Sequence, residues 1–225
     1  MRRVMAAVMA ASVLGPASVS ASSLELRVGG FAPVAESTLF LDSADLFTVG
    51  KDDWQGLTGG LEFAWNTGRH TELGIHLDGF GTKIHTSDRH YRRESGGDIR
   101  QTLELNTAPL GMTFRYVFGG RRARLRPYVG LGADVVFWEY QEYGAFRNPD
   151  TGRVVEYDEF FADGAVPALH LSLGLRVAIT SDFSLTAEAK FLGAGEEEMK
   201  DDWVGLGNEI DVSGSAFTVG LHVRF

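Results

Sequence analysis

Between Leu169 and Ile179 every second residue is a large aliphatic. Leu169, Leu171, Leu173, Leu175, Val177 and Ile179 occupy one parity, and His170, Ser172, Gly174 and Arg176 occupy the other. A period of two is a β-strand with unlike surroundings on its two sides. The closing segment repeats it: Phe217, Val219, Leu221, Val223 and Phe225 alternate with Thr218, Gly220, His222 and Arg224. One greasy face this continuous must be covered by protein or by lipid.

Eight segments carry the alternation. They are Leu24–Phe31, Trp54–Trp65, Glu72–Ile84, Ile99–Phe118, Arg126–Trp138, Leu169–Ile179, Leu185–Phe191 and Phe217–Phe225. The fourth is irregular. Leu103, Leu105 and Thr107 hold one parity, and beyond Pro109 the apolar set shifts to Leu110, Met112, Phe114 and Tyr116. One extra residue would restore the facing, and proline lacks the ladder N–H, so a β-bulge is predicted at Ala108-Pro109.

Short connections (66–71, 119–125, 181–183) alternate with long ones (32–53, 85–98, 139–166, 194–213). Transmembrane barrels have this pattern, with short periplasmic turns and long outer loops. The less apolar parity is rich in Gly, Ala, Ser and Thr, which suits the crowded interior of a narrow barrel. A soluble carrier barrel would instead turn its aliphatic residues inward. The fold predicted is all-β: an eight-stranded antiparallel up-and-down transmembrane β-barrel with long extracellular loops and short periplasmic turns.

The first 21 residues read as a secretory signal: Arg2 and Arg3, an apolar run from Val4 to Leu14, the Gly15-Pro16 break, then Val19-Ser20-Ala21 before the cut. Its apolar run is too short to span a bilayer as a helix, which takes about 20 residues. The predicted organisation is therefore signal peptide 1–21 and barrel 22–225. Removing the signal takes the net charge from −9 to −11. That charge disfavours nucleic acid, whose phosphates need clustered Lys and Arg. There is no cysteine, so no disulfide framework and no thiolate metal set.

The signal, the alternating strands, Arg126-Pro127-Tyr128-Val129-Gly130-Leu131-Gly132 and the terminal aromatic Phe225 together resemble the small outer-membrane barrel proteins. That group includes the OmpA transmembrane domain, the OmpX and OmpW types and the opacity-like barrels. The resemblance implies residence in the bacterial outer membrane and contact with its lipid and lipopolysaccharide. It also implies that the barrel-assembly machinery reads Phe225. A monomer is expected, without a cofactor or metal.

Inward parity gathers Glu25, Glu62, Asp78, Glu104, Asp134 and Glu188 with Arg27, Arg115, Arg176, Lys190 and Arg224. If Ser181-Asp182-Phe183 forms the turn, Arg176 faces Glu188; Glu25 and Arg224 are expected to meet where the first and last strands close the barrel. Such a network either plugs the lumen or, if it rearranges, gates an ion path. The leading functional expectation is a structural or surface-interaction barrel with a mostly filled lumen. A narrow ion or small-solute channel is the alternative, and a lipid A-modifying enzyme the third reading.

His170-Leu171-Ser172 carries the enzymatic reading, because side chains two apart on a strand share a face and a His can act as base for a Ser. The spacing resembles the His-x-Ser pair of lipid A deacylase barrels. Here, however, Leu173-Gly174 replaces their Asn-Ala, and the pair faces inward, away from lipid, so a lumen hydrogen-bonding role is expected. An internal echo, Lys51-Asp52-Asp53-Trp54 and Lys200-Asp201-Asp202-Trp203, with Glu196–Glu198 nearby, offers carboxylates for Ca²⁺ or Mg²⁺. The plainer reading is acidic turns with Trp54 and Trp203 in the interfacial girdle. Arg89, His90, Arg92 and Arg93 could meet lipopolysaccharide phosphates or form an ordinary charged loop. Around Arg147–Arg153 a turn signal predicts that strands five and six continue as a hairpin above the membrane.

Overall fold

The computed structural model describes residues 22–119, 123–148, 151–199 and 207–225. The signal at 1–21 and the second acidic echo at 200–206 lie outside the described residues. Eight strands close into a ring: β1 (Ser22–Pro33), β2 (Gly56–Asn66), β3 (Thr71–Arg92), β4 (Asp98–Val117), β5 (Leu125–Arg147), β6 (Val154–Ala178), β7 (Phe183–Ala194) and β10 (Gly214–Arg224). Neighbours in sequence pair antiparallel, and β1 pairs with both β2 and β10. A two-stranded hairpin, β8 (Glu196–Glu198) and β9 (Glu209–Asp211), stands outside the ring.

The wall has two heights. β1, β2, β7 and β10 hold 11 or 12 residues, while β3 to β6 hold 20 to 25. About 9–11 tilted residues cross a bilayer, so the short strands only just span it. The tall four continue outward as two hairpins, as the turn signal predicts for strands five and six: that ladder runs to Arg147↔Val154. Much of 85–98 and 139–166, expected as loop, is therefore strand. Across the low side of the wall lie α1 (Thr38–Leu46), a 3₁₀ turn (Lys51–Trp54) and the β8–β9 hairpin. Thr38, at the start of α1, ties it to β9, its Oγ1 accepting the N–H groups of Asn208 and Glu209.

Greasy side chains face outward at membrane height. Leu171, Leu173 and Leu175 are 42%, 49% and 37% exposed, whereas Arg176 is fully buried. The predicted bulge at Ala108-Pro109 is absent. The β4–β5 register is unbroken from Gln101↔Gly144 to Val117↔Tyr128, and on the β3 side Leu77↔Leu110 and Phe80↔Thr107 share one register. The parity does not flip; the polarity does. Leu103 and Leu105 point inward at 0% and 1% exposure, beside Ile84, Trp138 and Tyr140. Real irregularities lie higher, at Ser87/Arg92 and Gly144/Phe146. Gly144 has φ +135°, a backbone geometry that disfavours a Cβ.

Pro109 thus marks a boundary between two kinds of barrel. Below it the outside is apolar and the inside charged. Above it, outward positions on the tall strands turn polar, as with Lys83, Glu104, Glu139 and Gln141, and the inside turns apolar. Physics sets the level: where lipid ends, apolar side chains are driven from the wet exterior to the interior. Trp54 follows the same rule. Rather than sitting in a girdle, it is 1% exposed and packs edge-on against Phe40 at 4.9 Å, with Tyr140 at 6.2 Å. An aromatic girdle does form near the periplasmic rim, where Phe63 contacts Trp65 and Phe225, and Tyr116 contacts Phe118.

Candidate functional site: a filled lumen

The inward parity of the membrane half assembles one buried ionic network. Arg115 clamps Glu62 with two hydrogen bonds, of 2.6 and 2.9 Å. Arg27 does the same to Asp78, at 2.9 Å twice, and reaches Glu62 and Glu188 at 3.4 Å. Lys190 adds a 2.8 Å bond to Asp78. Tyr128 lies between two guanidinium groups, Arg115 at 4.7 Å and Arg176 at 5.0 Å, and donates its hydroxyl to Glu188 at 3.0 Å. Bidentate clamps and multiple acceptors are what keep buried charge from being prohibitive.

Two predicted pairings are replaced. Arg176 stands opposite Thr186, not Glu188, because the turn is centred one residue earlier. Thr180 Oγ1 accepts the N–H groups of Asp182 and Phe183, so Thr180-Ser181-Asp182 makes the turn and the register shifts by two. Arg176 instead bonds Glu72 at 2.8 and 2.9 Å and lies 3.6 Å from Glu25. Glu25 stands opposite His222, not Arg224, and accepts from Thr186 at 3.2 Å. Arg224 sits at the periplasmic rim, donating to the Ser181 carbonyl. Glu104 is no lumen residue: it faces outward on the polar upper wall, 3.5 Å from the half-exposed Lys83.

Glu72 and Arg126 belong to the network although neither was among the predicted inward charges. Each is the first residue of its predicted segment, at the periplasmic end, so carrying the inward parity out to the segment's start finds both. Arg126 stands directly opposite Arg176 and bonds Ser184 at 2.6 Å. Around Arg126, His222 and Glu72 lies a polar vestibule of about 30 Å³, room for little beyond water.

At the outer end of the ionic network three residues from separate strands converge. His170 Nδ1 lies 2.5 Å from Asp134 Oδ2, and His76 Nε2 lies 2.8 Å from Asp134 Oδ1. Both imidazoles reach Thr113 Oγ1 with their other nitrogen, His170 at 3.0 Å and His76 at 3.3 Å. All four side chains are buried. His170 is thus the lumen hydrogen-bonding residue that parity implied. It has the Asp–His–hydroxyl order of a proton relay, but Ser172, the proposed nucleophile, makes no hydrogen bond to it among the described residues.

Glycines carve the space. His76 faces Gly111, which faces Asp134 on the next strand; Thr113 faces Gly132, which faces His170. A Cβ on Gly111 would overlap the Asp134 carboxylate, and one on Gly132 would overlap the His170 ring. Gly60 leaves room for Asp78 in the same way, and Gly174 for Tyr128. The glycine excess on the inward parity is the negative of the charged side chains beside it.

Above this level the interior is closed by Leu103, Leu105, Val136, Trp138, Tyr140 and Val166 from the tall wall, meeting Leu39, Phe40 and Trp54 from the cover. Loop chemistry is largely spent on structure. Asp53 accepts from the Gly50 N–H and Asp52 from Gln55, so the acidic turn caps itself. Arg89 donates to the Phe47 carbonyl, His90 contacts that of Asp45, and Arg93 grips Glu156 at 2.6 and 2.7 Å.

Residues 4–225 match the family model for the outer membrane protein beta-barrel domain. The chain belongs to that family. Solved structures of the same shape include neisserial surface protein A (TM-score 0.53, 11% identity, 91% of this chain and 97% of that one). OprG from Pseudomonas aeruginosa matches at TM-score 0.54 and 11% identity, over 92% and 96%. The outer membrane protease OmpT from Escherichia coli matches at 0.51 and 8%, over 95% and 99%. Identities this low carry the fold alone, and a fold that includes a protease among its holders leaves activity open. A search of curated proteins finds no significant match. As a member of this family the protein resides in the bacterial outer membrane.

Proposed function

We propose that this barrel is a non-conducting structural element of the outer membrane that works through its raised outer wall. One observation carries the reading: the interior is occupied along its length, by paired charges in the membrane half and by an apolar core above. Ions crossing the upper core would leave water among Leu103, Leu105, Trp138 and Tyr140, where the polar groups present are largely committed to the wall, as with Glu142, which accepts the Tyr140 hydroxyl at 2.9 Å. What projects outward is the β5–β6 hairpin, where Val155, Tyr157 and Phe161 are exposed beside Tyr91, itself stacked with Arg147 at 4.1 Å. Exposed aromatics and Arg on a rigid hairpin suit a protein or glycan surface. Membrane lipid and lipopolysaccharide would contact the apolar belt and its polar upper margin. Phe225, exposed just past the end of β10 and donating its N–H to the Ser22 carbonyl of β1, is the proposed mark for the assembly machinery.

Planar-bilayer recording of purified protein tests the central claim. No steady conductance is expected. A steady, ion-selective conductance that Arg176→Ala abolishes would replace this reading with a channel.

A further inference from the structure

Asp134 differs from every other carboxylate in the network. Among the described residues its ion-pair partners are His76 and His170 alone, whereas Glu62, Asp78, Glu72, Glu25 and Glu188 each have an arginine. A buried carboxylate needs a compensating positive charge. Two neutral imidazoles do not supply one.

The hydrogen-bond pattern narrows the choice. Thr113 Oγ1 lies within bonding distance of both His76 Nδ1 and His170 Nε2. A hydroxyl carries one proton and two lone pairs, so it can accept from both imidazole nitrogens but donate to only one. His170 Nδ1 is in hydrogen-bond geometry with Asp134 Oδ2 at 2.5 Å, so a proton can bridge that pair; where both rings donate to Thr113, His76 Nε2 and His170 Nδ1 present lone pairs toward the Asp134 carboxylate. Lone pairs against an anion repel unless a proton or a metal cation stands between them. His76 Nε2 fits that description: it is 2.8 Å from Asp134 Oδ1, yet neither atom has a hydrogen bond of acceptable direction.

We propose that His76 Nε2, His170 Nδ1 and the Asp134 carboxylate form a site for a divalent transition metal of the zinc class. The three donor atoms lie within 4.8 Å of one another. Two imidazoles and a carboxylate suit zinc, and a shared Thr113 acceptor for both outer N–H groups is the kind of orienting contact that ligating histidines carry. The sequence spacing gives no hint of the set, because the ligands come from β3, β5 and β6. Gly111 and Gly132 let them meet across the intervening strands. Bound there, the metal pins three strands at the level where the charged lumen gives way to the apolar core. Its contribution is to folding, since the ligand set exists only once the barrel has closed.

The test uses the full barrel in detergent, both extracted from membranes and refolded from urea with Zn²⁺ or Co²⁺, then washed with chelator. Metal content is read by mass spectrometry and Co²⁺ coordination by visible absorption; heat-modifiable gel migration verifies folding. Wild type is expected to retain stoichiometric metal and to show ligand-field bands of a nitrogen–oxygen site. Folded His76→Ala and His170→Gln are expected to retain none, while Thr113→Val should bind about 10- to 100-fold more weakly. Should a variant fail to fold, the wild-type Co²⁺ spectrum decides alone. Wild type without retained metal and without cobalt bands overturns the site and leaves a ring sharing one extra proton. Equal retention by folded His76→Ala and His170→Gln also overturns it.

Discussion

Replacing Arg115 by methionine isolates the value of the central clamp. The guanidinium is fully enclosed, holds Glu62 at 2.6 and 2.9 Å, and stacks over Tyr128 at 4.7 Å. Methionine keeps much of the volume and removes the charge, so Glu62, 1% exposed, loses its main counterion. Breaking a buried pair by removing one partner costs about 3–5 kcal/mol. Arg27 remains 3.4 Å from Glu62 and offsets part of this, while the lost cation–π contact adds about 0.5–2 kcal/mol. The expected loss is therefore near the lower bound, about 3 kcal/mol. Glu62→Gln in the same background removes the stranded charge and should recover most of it, giving a coupling of about 2–3 kcal/mol. Urea titration of the detergent-folded barrel, followed by gel migration and tryptophan fluorescence, measures each corner of the cycle. A coupling below about 0.5 kcal/mol would show that the two residues are stabilised independently, and the account of the lumen as interlocked pairs would fail.

Three further outcomes follow from the packing. Gly111→Ala should cost about 1–3 kcal/mol or block folding, because its Cβ would overlap Asp134 and the Ala133 carbonyl, whereas lipid-facing Gly193→Ala should stay within about 0.5 kcal/mol; equal urea midpoints for the two would refute the carving argument. Trp54→Ala empties the centre of the outer core and should cost about 3–5 kcal/mol in the same titration; a change under about 1 kcal/mol would mean the cover is dispensable. Phe225→Ala, at an exposed position, should leave refolding into detergent unchanged while lowering the amount of folded barrel in cell envelopes, and normal envelope levels would remove the proposed assembly role.

Strand existence, facing and ring order were legible because a period of two with lipid outside leaves few alternatives. Leu169 to Val177 could face only one way once Arg176 had to be paired. Pairings across turns were not legible to the same degree. The hydroxyl of Thr180 moved one turn by a single residue, and that step exchanged Glu188 for Thr186 opposite Arg176. Glu72 and Arg126 opened their predicted segments, and the inward parity was not followed out to those first residues. The His76–Asp134–His170 cluster was hidden more deeply. Its members are far apart in sequence, and their meeting depends on where glycine interrupts the intervening strands, a pattern that reads in sequence only as small residues.

Strand four shows why the outer half resisted reading. A shift of apolar residues from one parity to the other has two causes: an inserted residue that rotates the strand, or a change in what surrounds it. Sequence cannot separate them when the surroundings are assumed uniform. The unbroken ladder through Pro109 selects the second cause, and the neighbouring strands agree. On β5 the inward residues change from Asp134 to Val136, while the outward ones change from Phe137 to Glu139, at almost the same height. Membrane barrel and soluble barrel are rivals only if one rule must hold for the whole wall. In this chain they are stacked: lipid sets the rule for the lower part of each tall strand and water for the upper. The apolar core that closes the lumen is the direct result, since strands that rise out of the bilayer have nowhere but the interior to bury their aliphatic and aromatic side chains.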